Sequence, residues 1–251
     1  MGRARISATI ITYNEEKNIK DCLESVKWVD EIVVVDAFST DRTFEICQQY
    51  TDKVIQHPWQ GHVEQKQFAL DNATGDWIIA LDADERLSDE AREEIEEILE
   101  KGSPDIDGYF LPRHSFYLGR WINHGGWYPD YKLRFFKRGK GRWGGKDPHD
   151  KIIIDGKTKK LKGKIIHYVY RDLSHQLKTV DLFSTISATN WEKEGKDFRL
   201  LDLFIRPPAK FFEVYVYKRG FLDGLPGFII ACVSSFYVFL KYAKLWELKR
   251  R

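Results

Sequence analysis

Cysteine is scarce in this chain, and Cys22, Cys47 and Cys232 show no metal-ligand spacing. An odd, scattered set excludes a disulfide framework and points to a reducing compartment. There is no Gly-x-Gly-x-x-Gly stretch and no Gly-Lys-Ser/Thr loop, so dinucleotide and P-loop chemistry lack their phosphate cradle. No charged-then-apolar signal peptide opens the chain, because Ile6–Ile11 is short and runs into Tyr13-Asn14-Glu15-Glu16. The protein is therefore expected in the cytosol or on the membrane face beside it. Net charge is nearly absent at +2, while 43% apolar and 14% aromatic residues exclude a disordered chain. Its 251 residues are enough for one large α/β domain, or a domain with an appendage.

The near-zero charge hides a division. Residues 1–105 carry 11 Lys and Arg against 24 Asp and Glu, and residues 106–251 carry 29 against 14. A basic second half is expected to face something anionic.

The chain is organised around Trp77-Ile78-Ile79-Ala80-Leu81-Asp82-Ala83-Asp84-Glu85-Arg86. The apolar run is too short for a helix and follows the turn-like Gly75-Asp76, so it predicts a buried strand. If that strand continues through the acids, Asp82 and Asp84 share one side, because side chains alternate with period two. Two carboxylates aimed at one spot repel unless a cation lies between them. Mg²⁺ or Mn²⁺ carrying a diphosphate would satisfy both. A solvated acidic turn before the Glu-rich helix explains the decapeptide equally well.

Ile6–Ile11 and Glu31–Asp36 are further β-branched strands, with a weaker one at Lys53–His57. Helices are expected from Asn14 as N-cap through Val26, after the Ala37–Asp41 turn through Phe44 and Cys47, over Val63–Asn72 and over Ser88–Lys101. Strand and helix alternate, which predicts a doubly wound, mostly parallel sheet with ligands outside the carboxyl ends of its strands. Thr12, Tyr13, Asp36, Asp82 and Asp84 would collect at that edge.

Farther on, Gly108–Arg113 reads as a strand. An aromatic, basic region follows: Trp121, His124, Gly125-Gly126-Trp127-Tyr128-Pro129-Asp130 and Lys132–Arg142. Such a mixture suits a phosphorylated sugar, and suits nucleic acid equally well. Leu133, Phe135 and Phe136 are expected in the core. Lys157–Lys164 reads as a solvated hairpin, and Ile165–His175 closes the sheet. Asp147, Asp150 and Asp130 are candidate general bases, since deprotonating an attacking hydroxyl needs a carboxylate within hydrogen-bond reach. His149-Asp150 could equally be a plain turn. His167 and His175 could help hold metal or diphosphate.

Ala8-Thr9-Ile10-Ile11-Thr12-Tyr13-Asn14-Glu15, Val34–Thr43 and Leu81-Asp82-Ala83-Asp84-Glu85 resemble glycosyltransferase family 2 in order and spacing. Within it the chain resembles bacterial lipopolysaccharide-core transferases, which share a Trp59-x-Gly61 loop and the Asp-Ala-Asp-Glu-Arg motif. That resemblance implies an α/β GT-A fold, Rossmann-like, that binds a nucleotide sugar and inverts at the transferred carbon. It places Thr12, Tyr13 and Glu15 along the nucleotide, Asp36 at the uracil, and Lys66 within reach of it. Asp82 falls near ribose and diphosphate, and Asp84 on a divalent metal. The turn Trp127–Asp130 with Arg134 resembles the acceptor-side loop. A His-acid pair of related transferases maps to His149-Asp150, which favours Asp150 as base over Asp147, with His149 a metal or phosphate contact. Ile11, where the family often has proline, and Ala37-Phe38, where small residues are usual, depart from the pattern.

The tail reads as a helix over Gln176–Lys196, a break at Phe204-Ile205-Arg206-Pro207-Pro208, and a turn cluster Gly220–Gly227. The uncharged run Phe228–Leu240 has 13 residues, short of the roughly 20 needed to span a bilayer. Apolar segments flanked by cations are expected to lie at an anionic membrane surface, although a packing helix or dimer interface fits too. The expected organisation is a transferase domain over 1–172 and a helical, membrane-associating extension over 173–251, with the interfacial segment at about 211–251. The expected function is transfer from a UDP-sugar, UDP-glucose by resemblance, to a heptose of a lipopolysaccharide inner core. That places it peripherally on the cytoplasmic face of the inner membrane, with no nucleic-acid partner. Competing expectations are transfer to polyprenyl phosphate or another lipid-linked oligosaccharide, and a non-enzymatic basic module binding nucleic acid or membrane.

Overall fold

β1 (Ile6–Thr12), β2 (Glu31–Asp36) and β4 (Trp77–Asp82) are almost wholly buried, as their unbroken apolar runs require. The protein is seen here as a computed structural model describing residues 3–102, 105–146 and 149–250. β1 lies between β2 and β4 and is parallel to both; β3 (Val54–Gln56) extends the sheet beyond β2. The crossovers carry α1 (Ile19–Val26), α2 (Thr43–Cys47) and α3 (His62–Asp71). The order β3-β2-β1-β4 reverses direction between β1 and β4, and a doubly wound sheet opens its ligand crevice at such a reversal. Thr12 and Asp82 end the two strands that flank it.

Beyond β4 the sheet becomes mixed. β8 (Asp130–Lys137) runs antiparallel to β4, followed by β6 (Gly108–Tyr117), β12 (Ile165–His167) and β5 (Glu85–Leu87). β11 (Thr158–Lys160) lies parallel to the start of β6. The Lys157–Lys164 stretch is thus an exposed edge strand rather than a hairpin. The backbone of Asp107 receives Lys137 N and donates to Lys157 O, which holds this lysine-rich segment beside the sheet. β9 (Gly141–Lys146) and β10 (His149–Ile154) form a separate antiparallel ribbon.

The sheet faces follow from period two. Ile6, Ala8 and Ile10, with Trp77, Ile79 and Leu81, pack against α1 and against Ile95 and Leu99 of α4 (Asp89–Lys101). Ile78 and Ala80 face the other way, toward Leu70, Phe136 and Trp143. Asp82 follows Ala80 on that second face. Truncating a core side chain such as Phe136 to alanine costs about 3–5 kcal/mol.

The chain divides into two compact units, Met1–Arg113 with Tyr131–His167, and His114–Asp130 with Tyr168–Arg251. The second contains β7 (Arg120–Trp121), α5 (Leu173–Lys193), α6 (Leu200–Phe212) and α7 (Gly224–Leu248). His114–Asp130 groups with the helices because Tyr117 OH donates to Gln176 and the buried Asp223 accepts from the backbone of Asn123 and His124. A boundary at residue 172 would leave that segment with the first unit.

Two expectations about the helices are overturned. Pro207-Pro208 does not break the chain, for α6 passes through both prolines; Pro207 is buried and its carbonyl accepts from Ser235 Oγ of α7. Tertiary packing outweighs the lost amide donors there. The Gly220–Gly227 cluster is a short 3-10 turn followed directly by α7. Counting only uncharged residues understates α7, which has 25 residues and, by length and composition alone, could cross a membrane. Lys244 is neutralised inside the unit by Asp181 of α5 at 2.6 Å.

One carboxylate ties the sheet's early strands together. Glu31 accepts from Ser7, from Thr74 N at 2.7 Å and from Thr74 Oγ1 at 2.9 Å, and pairs with Lys53. Burial alone would raise its pKa, but these donors hold it at about 2. A carboxyl whose folded pKa is depressed stabilises the fold above its unfolded value and loses that contribution as pH falls through the folded one. Stability should therefore fall from about pH 4 toward pH 2, by roughly 2–3 kcal/mol. Thermal unfolding of Glu31→Gln across that range should show a flatter acid limb than the parent; parallel limbs would reject the assignment.

Candidate active site

The edge of the sheet at β1 and β2 is shaped by polar side chains. Thr12 pairs with Asp36 in register, and its buried Oγ1 has no hydrogen-bond partner among the described residues. Asp36 is fully buried and accepts from Ser39 N at 2.9 Å, from Ser39 Oγ, and from Gln56 at 3.4 Å. Its carboxylate thus builds the turn after β2. Asn14 is not a helix cap, since α1 starts five residues later. It adopts φ 54° and accepts from Thr40 N at 2.8 Å, joining the loops after β1 and β2. Glu15 N donates to Thr43 Oγ1. The joined loops leave Tyr13 and Phe38 as exposed aromatics at neighbouring strand tips.

At the end of β4 the chain places a charge cluster. The Asp82 carboxylate lies 2.8 Å from Lys66 Nζ and 2.9 Å from Arg134 Nη2. The same ammonium lies 2.8 Å from Asp150 Oδ2 of β10. Arg134 continues to Glu85 at 3.1 Å, and Arg113 reaches Glu85 at 3.2 Å. Lys66 and Arg134 are about 95% buried, and Glu85 completely. Burial alone would raise the Asp82 pKa, but the Lys66 and Arg134 charges reverse this and hold it well below the usual carboxylate range. Burial works against the Arg134 charge, which Glu85, Asp82 and Asp150 restore and reinforce.

Trp143 of β9 forms part of the wall, with Lys66 Nζ at 4.8 Å and the Arg134 guanidinium at 5.5 Å from its ring. Arg134 Nη1 and Trp143 Nε1 are buried donors without a partner among the described residues. Buried unpaired donors are costly, and here both border a recess of about 540 Å³ lined also by Lys66, Asp82 and Asp150. A ligand with several acceptor oxygens would satisfy them.

The strand does not continue through the acid motif. β4 ends at Asp82, and Ala83-Asp84 is a turn into β5, so period two no longer governs Asp84. Asp82 turns to the protein's own cations, while Asp84 Oδ2 lies 3.3 Å from His167 Nε2 of β12. Among the described residues no three His, Cys, Asp or Glu converge on one point. The Asp84 carboxylate nevertheless suits Mg²⁺ or Mn²⁺, hard ions that complete their shells with substrate phosphates and water, and the His167 imidazole beside it is a softer donor. The donor set fits a metal that arrives with its diphosphate.

The other sequence candidates are placed as follows. Asp150 joins the cluster through Lys66. Arg134, expected on the acceptor side, lies directly beside Asp82. Trp127 and Asp130 belong to the second unit, where Trp127 packs on Tyr117 at 5.4 Å. Asp147 and the His149 side chain fall outside the described residues. His175 donates its backbone N to Asp172, the N-cap of α5.

A family model for glycosyl transferase family 2 matches residues 7–156. The chain belongs to this family. The family 2 glycosyltransferase is 33% identical over 249 residues to the lipopolysaccharide core biosynthesis glycosyltransferase LpsC of Rhizobium meliloti (strain 1021), spanning 96% of this chain and 92% of that one. It is 31% identical over 255 residues to an uncharacterized glycosyltransferase of Rickettsia typhi (strain ATCC VR-144 / Wilmington), spanning 97% and 87%. In fold it resembles the mannosyltransferase PcManGT from Pyrobaculum calidifontis in complex with GDP-Man and Mn²⁺, with TM-score 0.58, 14% identity, and 98% and 88% coverage. It also resembles S. aureus TarS in complex with UDP-GlcNAc, with TM-score 0.52, 15% identity, and 98% and 92% coverage. The architecture is thus GT-A, as expected, and the chain is an enzyme; the non-enzymatic alternative falls.

Sequence reasoning overlooked Glu85, Arg113 and Trp143 in this family 2 glycosyltransferase. Glu85 was legible only as a third acid of the motif, and Arg113 as the end of a strand. Trp143, between Arg142 and Gly144, carries no periodic signal. Replacing Arg134 by Met strands two carboxylates and should cost about 3–5 kcal/mol in urea unfolding. Adding Glu85→Gln should recover part of that loss, whereas additive losses would show that Arg134 and Glu85 are not coupled.

Proposed function

We propose that this family 2 enzyme transfers glucose from UDP-glucose, with inversion, to a heptose of a lipopolysaccharide inner core. The lipid-anchored glycan would be met on the cytoplasmic face of the inner membrane. The observation that carries the reading is Lys66, one buried ammonium shared by Asp82 and Asp150 at the sheet's reversal point. It brings a proposed donor-side acid and a candidate base to one ammonium in a single recess. LpsC, named for lipopolysaccharide core biosynthesis, aligns over nearly the whole chain and supports the acceptor class.

In this reading Tyr13 and Thr12 border the nucleoside, with Glu15 and Asp36 setting the loops that hold it. Lys66 and the free edge of Arg134 face the diphosphate, where fixed cations stabilise charge developing on the leaving group. Asp84 and His167 would hold a divalent metal, Mg²⁺ or Mn²⁺, which when bound neutralises the departing diphosphate. Asp150 accepts the proton of the acceptor hydroxyl. The hydroxyl oxygen bonds to the anomeric carbon as the bond to UDP breaks, and that electron pair leaves on the β-phosphate. Trp127 and Asp130 are proposed acceptor contacts.

The helical unit suits a peripheral enzyme. Leu200, Leu201, Phe204, Phe212 and Tyr217 are all more than half exposed, more apolar surface than a soluble face ordinarily shows. We assign these residues to a bilayer interface.

UDP with Mn²⁺ should raise the melting temperature of the parent enzyme, and Asp84→Ala should abolish the Mn²⁺-dependent part. Asp150→Asn should keep that shift while losing at least about 100-fold in transfer, the usual worth of a general base. UDP release across a nucleotide-sugar panel, with extracted lipopolysaccharide core as acceptor, reads out both donor and turnover. Undiminished turnover in Asp150→Asn would dismiss it as base. Leu201→Glu with Phe204→Glu should lower pelleting with anionic vesicles several-fold; unchanged pelleting would remove α6 from the membrane contact.

A further inference from the structure

Asp223 stands at the N-cap of α7, where an aspartate ordinarily accepts a hydrogen bond from the first turn of its own helix. It makes no such bond. Its carboxylate, only 1% exposed, turns to a segment about 100 residues earlier in the chain. Asn123 N donates to it at 3.2 Å and His124 N at 2.7 Å, with His124 Nδ1 at 3.2 Å and Arg120 Nη2 at 3.6 Å. Burying a carboxylate is costly unless donors surround it, and these four donors all come from residues 120–124. Two consecutive backbone amides bound by one carboxylate have their directions fixed together.

The residues that follow are clamped to the same part of the helical unit. Gly125 N donates to Lys218 O at 2.8 Å. Gly125 and Gly126 adopt φ 66° and 82°, a region that glycine enters without steric cost. A Cβ at Gly126 would lie 2.8 Å from Lys218 Cδ, so the loop sits directly against that lysine. The approach to α7 is equally close-fitting, since a Cβ at Gly227 would meet Gly220 O at 1.9 Å. Trp127 N then donates to His124 O at 3.1 Å. The amides held by Asp223 therefore begin the turn that carries Trp127 and Asp130.

We propose that Asp223 is a positioning residue for the saccharide acceptor: it sets the backbone of Asn123 and His124, and through them the Trp127–Asp130 turn. This rests on the proposed assignment of Trp127 and Asp130 to the acceptor. In this role Asp223 touches neither donor nor acceptor and acts only through the loop. Misplacing a substrate-holding segment by a small distance is enough to weaken its contacts with the substrate. The donor recess takes no part, so loss of Asp223 should separate acceptor use from donor binding.

The test uses the full-length enzyme, with extracted lipopolysaccharide core as the varied acceptor and the parent's nucleotide sugar at saturation. Asp223→Asn keeps the side chain's shape but replaces one acceptor oxygen with a donor. KM for the core should rise at least about tenfold, the worth of one charge-assisted hydrogen bond. The donor KM and the melting shift with UDP and Mn²⁺ should stay as in the parent. Amide hydrogen exchange over residues 123–128 should quicken, while β1, β2 and β4 keep their protection. Should Asp223→Asn not fold, His124→Ala leaves both amide bonds and removes only the ring contact. In that variant acceptor KM and loop exchange should rise together. An unchanged acceptor KM in a loop that exchanges faster, or a raised KM in a loop that exchanges as in the parent, overturns this role alone. A parent that turns over no core overturns the acceptor assignment, and this role with it.

Discussion

A carboxylate at the tip of a buried strand is held charged by cations that arrive from elsewhere in the chain. Lys66 comes from α3 and Arg134 from β8, and both are themselves buried. None of the three would be tolerated alone in that place, because removing one partner leaves an uncompensated buried charge. The segments that follow β4 are therefore fixed relative to the parallel sheet partly by electrostatics. Glu85 extends the chain of charges to Arg113 at the unit's far strands. The side chains that line the recess are thus oriented by the protein's own ion pairs.

Much of this was legible in the residues. The β-branched runs at Ile6–Thr12, Glu31–Asp36 and Trp77–Asp82 are strands because no other element buries such segments so completely. Their polar exits gave the crevice. Ser88 caps α4 as its spacing implies, accepting from Ala91 N. What stayed hidden came from long-range partners. Asn14 looks like a cap, yet its side chain serves a loop from the next crossover. α3 buries Gln65 and Lys66 next to Ala69 and Leu70, so its inward face has no clean apolar period. Arg134 lies between buried apolar residues in a stretch rich in lysine and arginine, and nothing local marks it as the partner of Asp82.

The tail shows the same limit from the opposite side. Two consecutive prolines are strong local signals for a break, but α6 continues because α7 packs along it and Ser235 takes up the Pro207 carbonyl. The acid motif fails in a third way. Period two was a sound rule applied one residue too far, since the strand ends at Asp82 and the turn sends Asp84 to His167.

Sharing one ammonium between Asp82 and Asp150 has an evolutionary side. Positions 150, 66, 82 and 134 form a chain of ion pairs in that order, so changing one member takes a partner from its neighbour. A descendant that exchanged lysine 66 for a neutral residue would have to shed or relocate an acid in the same step. A tolerable change in the middle of this pocket is therefore a paired one.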